Sequence, residues 1–524
     1  MTMENLSLPF KVLALGPFVP QGKEKGFQKP IRIDLNHPDQ IMEKIQLSFS
    51  ISLPSHLCQW DHLLLDFKSL KDFHPDSLIE HHTSLKNLLE ARRSVESLKS
   101  KGLKEEDIYA HLKQWPGLPI EIKREERPRP SEEVSTSVDR LLKMVAMPGD
   151  ESTSAPESQP FITQINLLLQ QILRQIFSNP DFRGLESTYQ GLQFLMRQAR
   201  GSQEILFDIV PVSLDTLEET LDHLTVSLID ELPSLVLLDL PFDNSPRSTE
   251  LLERVALFSE TLLTPCLCWI SPKFLHLNQW EEIGKLPFLP HYIDDPAFAK
   301  WRKLRTLPAV KWIALTCNRF LIRYPYGSEN RLKWVRFDEA EFPWISPVWA
   351  IAGLILESLS KTGWPTRFTD WQNIRLNDLA LHSIEGDRAI PTEVNFSEDR
   401  IDQFIRTGLF PLVSPLNRDY AFTPKEITVG GNLLSSQLFL SRITHFLFWC
   451  KDQFEKDLEP SLLEERLKRA FSWFWEKTGN LLPSTFEVSA NRPKPDSPIQ
   501  VRLLIEPSRR MLPSGEKVEL ELSW

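Results

Sequence analysis

FITQINLLLQQILRQIFSNPDFRGLESTYQGLQFLMRQAR, residues 161–200, is the stretch on which the fold turns. Ile162, Ile165, Leu168, Leu169, Ile172, Leu173 and Ile176 recur at helical spacing and draw one apolar stripe, with Gln164, Gln170, Gln171, Arg174 and Gln175 opposite. Asn179-Pro180 stops that helix and starts another, Asn as N-cap and Pro at the first helical position. Phe182, Leu185, Tyr189, Leu192 and Met196 carry the stripe onward. Two amphipathic helices meeting at so short a corner are expected to pack on each other or on a sheet, and to nucleate a large domain.

Downstream, Glu204–Val212, Val236–Asp239 and Pro265–Ile270 read as strands, and Leu214–Ile229 and Ser248–Leu263 as helices between them. This alternation predicts a mixed α/β sheet in a domain over 161–480. Upstream, Phe10–Leu15 reads as a buried strand ending at Gly16-Pro17. Ile31–Leu35 and Leu63–Phe67 read as further strands, and Leu78 to Leu98 recur at helical spacing. They define a small α/β unit, 1–122, expected to pack on the larger domain. Residues 123–160 are rich in Pro, Ser and charge and read as a linker holding one short amphipathic piece, Val138–Val145. Residues 481–524 end in two alternating strands: Ile499, Val501, Leu503 and Ile505 share one face, as do Val518, Leu520, Leu522 and Trp524. That C-terminal β-hairpin is either an edge of the chain's own sheet or a pair of strands lent to a neighbour.

The chain has 524 residues, 41% of them hydrophobic and 10% aromatic, enough for real cores. Its net charge of −11 argues against a nucleic-acid partner, which needs a basic face. The N-terminus has no basic region of a signal peptide, and the longest apolar run, Val348–Leu356, is about half of what a membrane span needs. No membrane insertion is expected. Five scattered cysteines form no disulfide framework, and a soluble, reduced, cytoplasmic protein is expected.

Chemistry is sparse. No phosphate-binding loop, dinucleotide fingerprint, nucleophile elbow or H-E-x-x-H motif is present. Cys266 and Cys268 read as buried and inert, and His81-His82, adjacent on a helix, do not share a face for a metal. Arg319 and Arg323, four apart, are read first as ordinary intramolecular or subunit ion pairs; if the segment is a strand they share a face and could instead clasp a carboxylate or phosphate. No catalytic residue, metal site or cofactor is expected.

Several stretches, taken in order, resemble one family. The run 182–195 is similar to the F-x-x-LE-x-x-W-x-GL signature of the large subunit of the type VI secretion contractile sheath, with Tyr189 where the family usually shows Trp. Leu8-Pro9-Phe10 through Gly16, and Phe67, Ser69-Leu70, Asp72-Phe73 and Pro75-Asp76, resemble the small subunit's L-P-F…G and F-x-SL-x-DF-x-PD elements. Arg319, Leu321, Arg323, Pro325 and Tyr326 fit the large subunit's PR-x-L-x-R-x-PY run, with Asn318 for its Pro; Gly363-Trp364 and Arg442-x-x-His445 follow.

The resemblance implies a fused small–large protomer of a structural, phage-tail-like machine. Its implied partners are other sheath protomers, an inner-tube protein, a baseplate and an AAA+ recycling ATPase. It implies that Leu141, Leu142 and Val145 form the helix the ATPase grips. Val518, Leu520, Leu522 and Trp524 would form an inter-subunit strand, and Glu186, Tyr189, Arg319, Arg323, Asp72 and Phe73 would serve core or subunit contacts. Only seven residues precede Leu8, fewer than the strand-bearing arm of the family's small subunit. A non-polymerising cap, baseplate adaptor or regulator, and a hydrolase in the large domain, are the alternatives.

Overall fold

The computed structural model describes residues 8–24, 29–54, 57, 62–115, 159–199, 204–384, 386–455, 458–480, 482–494 and 497–524. The chain forms two compact units. One comprises Met1–Ile45, Pro180–Tyr324 and Phe342–Trp524; the other comprises Gln46–Asn179 and Pro325–Glu341.

Strands follow the chain as β1 (Phe10–Gly16), β2 (Ile31–Ile33), β3 (Ser48–Ser52), β4 (His62–Asp66), β5 (Ile205–Pro211), β6 (Leu235–Phe242), β7 (Cys266–Ile270) and β8 (Ile313–Cys317). They continue as β9 (His382–Ile384), β10 (Arg388–Ile390), β11 (Leu409–Pro411), β12 (Thr485–Asn491), β13 (Gln500–Glu506) and β14 (Val518–Ser523). The first unit is built on a seven-stranded sheet ordered β11-β8-β7-β6-β1-β5-β2. All its pairings are parallel except β2 on β5.

β1 lies between β5 and β6, with Phe10 opposite Ile205, Gly16 opposite Pro211, and Val12 opposite Leu235. Its seven residues are all buried, so both its edges and both its faces need partners, and a parallel sheet covered on two sides supplies them. Leu13 and Leu15 face the helices Leu217–Ser227 and Pro246–Leu262. On the opposite face the helix Pro347–Thr362 crosses β6, β7 and β8 and packs on the helix Pro180–Gln198.

This placement divides the chain differently from the expected 1–122 boundary. β1 and β2 join the large sheet of the first unit, whereas the chain from Gln46 lies in the other unit. A fully buried strand takes the edges that satisfy its backbone, however distant in sequence. The Asn179-Pro180 corner is itself the point of division: the helix Gln159–Ser178 ends in the second unit and Pro180–Gln198 begins in the first. Both helices are where the periodicity places them, but each stripe is buried within its own unit. In the second unit Ile165, Leu169, Ile172 and Leu173 are buried, and their helix packs on Thr83–Ser100 beside the β3–β4 hairpin.

The C-terminal hairpin is a three-stranded antiparallel sheet, β12-β13-β14. β12 escapes a reading by alternation because Val488 is its one fully buried residue. Val501, Leu503 and Ile505 pack with the helices Leu434–Gln453 and Pro460–Lys477 around Trp364 in a second core of the first unit.

Candidate functional site: an open sheet edge and its buried pins

β14 is the outer strand of the C-terminal sheet. Val518, Leu520, Leu522 and Trp524 lie partly buried against the Trp364 core, while Glu519, Glu521 and Ser523 are exposed. The Trp524 N–H donates to the Ile499 carbonyl at 2.8 Å. By antiparallel alternation the N–H groups of Glu519, Glu521 and Ser523 therefore point away from β13, along an edge with no partner strand among the described residues. The Lys451 ammonium donates to the Ser523 carbonyl at 3.0 Å on that side. Arg502 pairs with Glu519 across the exposed face.

The other residues singled out in the sequence fall into intramolecular contacts. Glu186 accepts from Arg323 at 2.7 Å and from the Gln190 amide at 2.6 Å. Tyr189, fully buried, donates its hydroxyl to the Phe18 carbonyl at 2.8 Å, and burial pushes its pKa up. The Phe18 and Tyr189 rings meet edge to face at 5.6 Å. Thus the small-subunit-like opening is held by the large-subunit-like signature.

Arg319 and Arg323 do not form a shared clasp. β8 ends at Cys317, and in the segment that carries the two arginines Phe320 makes isolated bridges to Ile345 and Thr392 but no strand. Without a strand the two side chains part: Arg323 takes Glu186, and Arg319 takes Glu393 with its guanidinium at 2.7 Å and its backbone N–H at 2.8 Å. Asn318 makes the corner. It sits at φ 78°, a left-handed state that Asn tolerates and that proline's fixed φ of about −65° forbids. Its amide donates to the Val394 and Leu412 carbonyls at 2.9 and 2.8 Å, so Asn replaces the family's usual Pro with side-chain ties in place of ring rigidity.

In the second unit Asp72 accepts from the Lys68 and Ser69 backbone N–H groups at 2.8 and 2.9 Å. Burial works to raise its pKa, but these donors together with Ser69 and His81 prevail and lower it. Asp72 closes the short Leu70–Phe73 turn; the following helix, Pro75–His81, is capped by His74, whose ring accepts from the Asp76 N–H at 3.2 Å. Phe73 stacks on Phe67 at 4.5 Å. His81 pairs with Asp72, and His82 contacts the Leu64 carbonyl. Leu141, Leu142 and Val145 lie outside the described residues.

Cys266 and Cys268 are buried 3.8 Å apart in β7; burial first, then the neighbouring thiol, pushes Cys268 well up. Among the described residues no group of three or more His, Cys, Asp or Glu side chains is placed to hold a metal, and no helix is long and apolar enough to cross a membrane.

Apart from His445, which belongs to the R-x-x-H match, other buried polar groups carry no local sequence signal. In β1, Lys11 is 3% exposed and reaches Asp208 at 3.1 Å and the Glu231 carbonyl at 3.0 Å. Asp239 on β6 is the buried hub between sheet and helices. Glu426 accepts from the Ser435 N–H at 2.7 Å at the start of the helix Leu434–Gln453, and burial raises its pKa from 4.5 to about 7. Between those two values the folded state keeps a proton that the unfolded chain has released, so this contribution to stability falls as pH rises through the window, by about 3 kcal/mol in all. His445 acts oppositely: burial lowers its pKa from 6.5 to about 4, so its contribution is lost as pH falls through that range. Glu426→Gln should leave stability unchanged at pH 4 and raise it above pH 7. Urea unfolding of both proteins across pH measures this, with His445 common to each; parallel curves would refute the assignment.

A family model described as "EvpB/VC_A0108, tail sheath N-terminal domain" matches residues 159–229 and 233–426. Another, described as "Type VI secretion system, VipA, VC_A0107 or Hcp2", matches residues 2–115. The type VI secretion system sheath protein TssC1 of Pseudomonas aeruginosa is 25% identical over 362 residues, spanning 60% of this chain and 72% of that protein. Among solved structures, a sheath tail protein from Desulfitobacterium hafniense aligns with TM-score 0.32 and 8% identity, over 58% of this chain and 60% of its own. The baseplate of an anti-feeding prophage aligns with TM-score 0.35 and 11% identity, over 64% of this chain and 76% of that one. The sequence matches carry the assignment, the first alone taking in just over half of the residues. With the small-subunit match ahead of the large-subunit one, the chain belongs to the type VI secretion contractile-sheath family and joins both subunits in one polypeptide.

Proposed function

We propose that this structural subunit assembles with copies of itself into a cytoplasmic tube, anchored on a baseplate around an inner-tube protein, and contracts to drive secretion. The observation that carries the reading is β1: a strand from the small-subunit region is hydrogen-bonded on both edges inside the sheet of the large-subunit region. The two regions are thereby one protomer, and the covalent link fixes their ratio at one to one. In this reading the protein makes and breaks no covalent bond. Its work is done by surfaces that exchange contacts between an extended and a contracted array, with neither nucleic acid nor membrane as partner.

The open edge of β14 is the contact we assign to a neighbouring protomer, because unpaired outward N–H and C=O groups are a template for strand addition. Glu521→Pro removes one outward donor while sparing the ladder to β13. Negative-stain microscopy is expected to show tubes from the parent protein and discrete particles from the variant, with little change in melting temperature. Tubes from both would remove β14 from the interface. Discrete particles from the parent under all conditions would turn the reading toward a cap or adaptor. Recycling by an AAA+ ATPase is assigned to Leu141, Leu142 and Val145. Leu141→Asp with Leu142→Asp should abolish ATPase binding in a pull-down, and undiminished binding would move that site elsewhere.

A further inference from the structure

Arg442, on the helix Leu434–Gln453, is 8% exposed, yet none of its guanidinium N–H groups donates to a described residue, and its Nε is buried without an acceptor. The group lies 5.4 Å from the Trp364 ring centre and 5.7 Å from that of Phe474. Aromatic faces of this kind hold a guanidinium flat and leave its donor edges free. Leaving the Nε–H of a charged group buried without an acceptor is unfavourable, and the rest of the fork has no protein acceptor among the described residues. Burial accordingly lowers the Arg442 pKa to about 10, with Glu204 opposing through space.

Arg442 lines two cavities. In one, of about 200 Å³, Asp230, Glu231 and Asp452 outnumber Lys11 and Arg442, with His445 held neutral by burial, and disfavour an anion. In the other, of about 550 Å³, Lys361, Lys477 and Arg510 join Arg442 against one carboxylate, that of Glu204, among the described residues. Lys361 is already engaged by Glu357 at 2.7 Å and the Asn373 carbonyl at 2.6 Å. Lys477 and Arg510 are exposed at the rim. A planar fork at depth with two cations at the mouth suits a group with several oxygens and more than one negative charge.

We propose that this larger cavity is a binding site for a phosphate-bearing small anion, gripped by Arg442 and ringed by Lys477 and Arg510. It bears on the individual protomer and is independent of whether the protomer polymerises.

The test titrates the full chain with inorganic phosphate and with ADP at constant ionic strength, using calorimetry and melting temperature, with chloride as control. Saturable binding of phosphate or ADP, with a rise in melting temperature that chloride does not produce, is expected. ADP binding more tightly than phosphate identifies a nucleotide as the source, and equal binding identifies the phosphate group alone. Lys477→Gln with Arg510→Gln, both at exposed positions, should weaken binding at least about tenfold without altering the ligand-free melting temperature. Arg442→Met should melt no lower than the parent without ligand and lose the response to phosphate. Absence of saturable binding to either probe, or binding unchanged in the Lys477/Arg510 variant, overturns the site.

Discussion

Gly363→Ala is expected to destabilise the C-terminal core of the first unit by about 4 kcal/mol. Gly363 ends the helix Pro347–Thr362 at φ 76°, with its N–H donating to the Leu359 carbonyl at 2.8 Å. An added Cβ would lie 2.0 Å from the Thr478 carbonyl oxygen, just past the end of the helix Pro460–Lys477. The left-handed backbone accounts for about 1–2 kcal/mol, and forcing apart two helix ends adds a similar or larger overpacking cost. Neither end is free to yield, because the Asn480 amide bridges the Thr362 and Thr478 carbonyls at 3.2 and 2.7 Å. Trp364, next in the chain, would lose its packing on Phe439 and Trp475, at 5.0 and 5.5 Å. Hydrogen exchange read over 434–477 should show opening accelerated about a thousandfold, a change the first 45 residues need not share. Unaltered protection there would falsify the cap's assigned role.

Asp239 is expected to separate two substitutions sharply. Its carboxyl is wholly buried on β6 and accepts from Thr188 at 2.9 Å, from the Trp349 indole at 2.8 Å and from the Ser346 hydroxyl. Burial raises its pKa, and the surrounding donors, Ser346, Trp349 and Thr188 ahead of Trp269, offset only part of that rise. Asp239→Ala leaves three buried donors without an acceptor, at about 1–3 kcal/mol each, and a cavity besides. A loss of about 5 kcal/mol, near the whole stability of many domains, is expected from urea unfolding. Asp239→Asn keeps the shape and one acceptor for Thr188 and Trp349, and Ser346 can rotate to accept from the amide. Its loss should stay near 1 kcal/mol. Equal damage from the two variants would show that charge, and not hydrogen-bond geometry, holds the helix Pro347–Thr362 on the sheet.

The same contacts show which parts of this protein are local in origin. The paired helices across Asn179-Pro180, the strands flanking residues 204–270 and the alternation of β13 and β14 lie where periods of 3.6 and 2 put them, because those periods depend on near neighbours alone. Gly363-Trp364 and Phe67 through Asp76 were legible as motifs, and the fold supplies the reason: a left-handed cap against a second helix end, and a turn closed by Asp72 over stacked rings. Arg319 and Arg323 make the ordinary intramolecular ion pairs read first for them, and the alternative clasp does not form because β8 stops at Cys317 where Asn318 turns the chain. Lys11 and Asp239 gave no signal, and Arg442 stood out only as part of the R-x-x-H resemblance, since a polar residue within an apolar run says nothing of the partner that burial will bring.

By itself the sequence determined the helices on either side of Asn179-Pro180 and those near 214–229 and 248–263, most strands, the small-then-large order of its two parts and their likeness to a sheath. Only the tertiary structure decided that β1 leaves its neighbours in sequence to sit between β5 and β6, that the helical corner divides two compact units, and that the C-terminal strands number three with β14 open at the edge. Local propensity can say that a segment wants a ladder. Which ladder it joins depends on edges that exist only once residues some two hundred positions away have folded beside it.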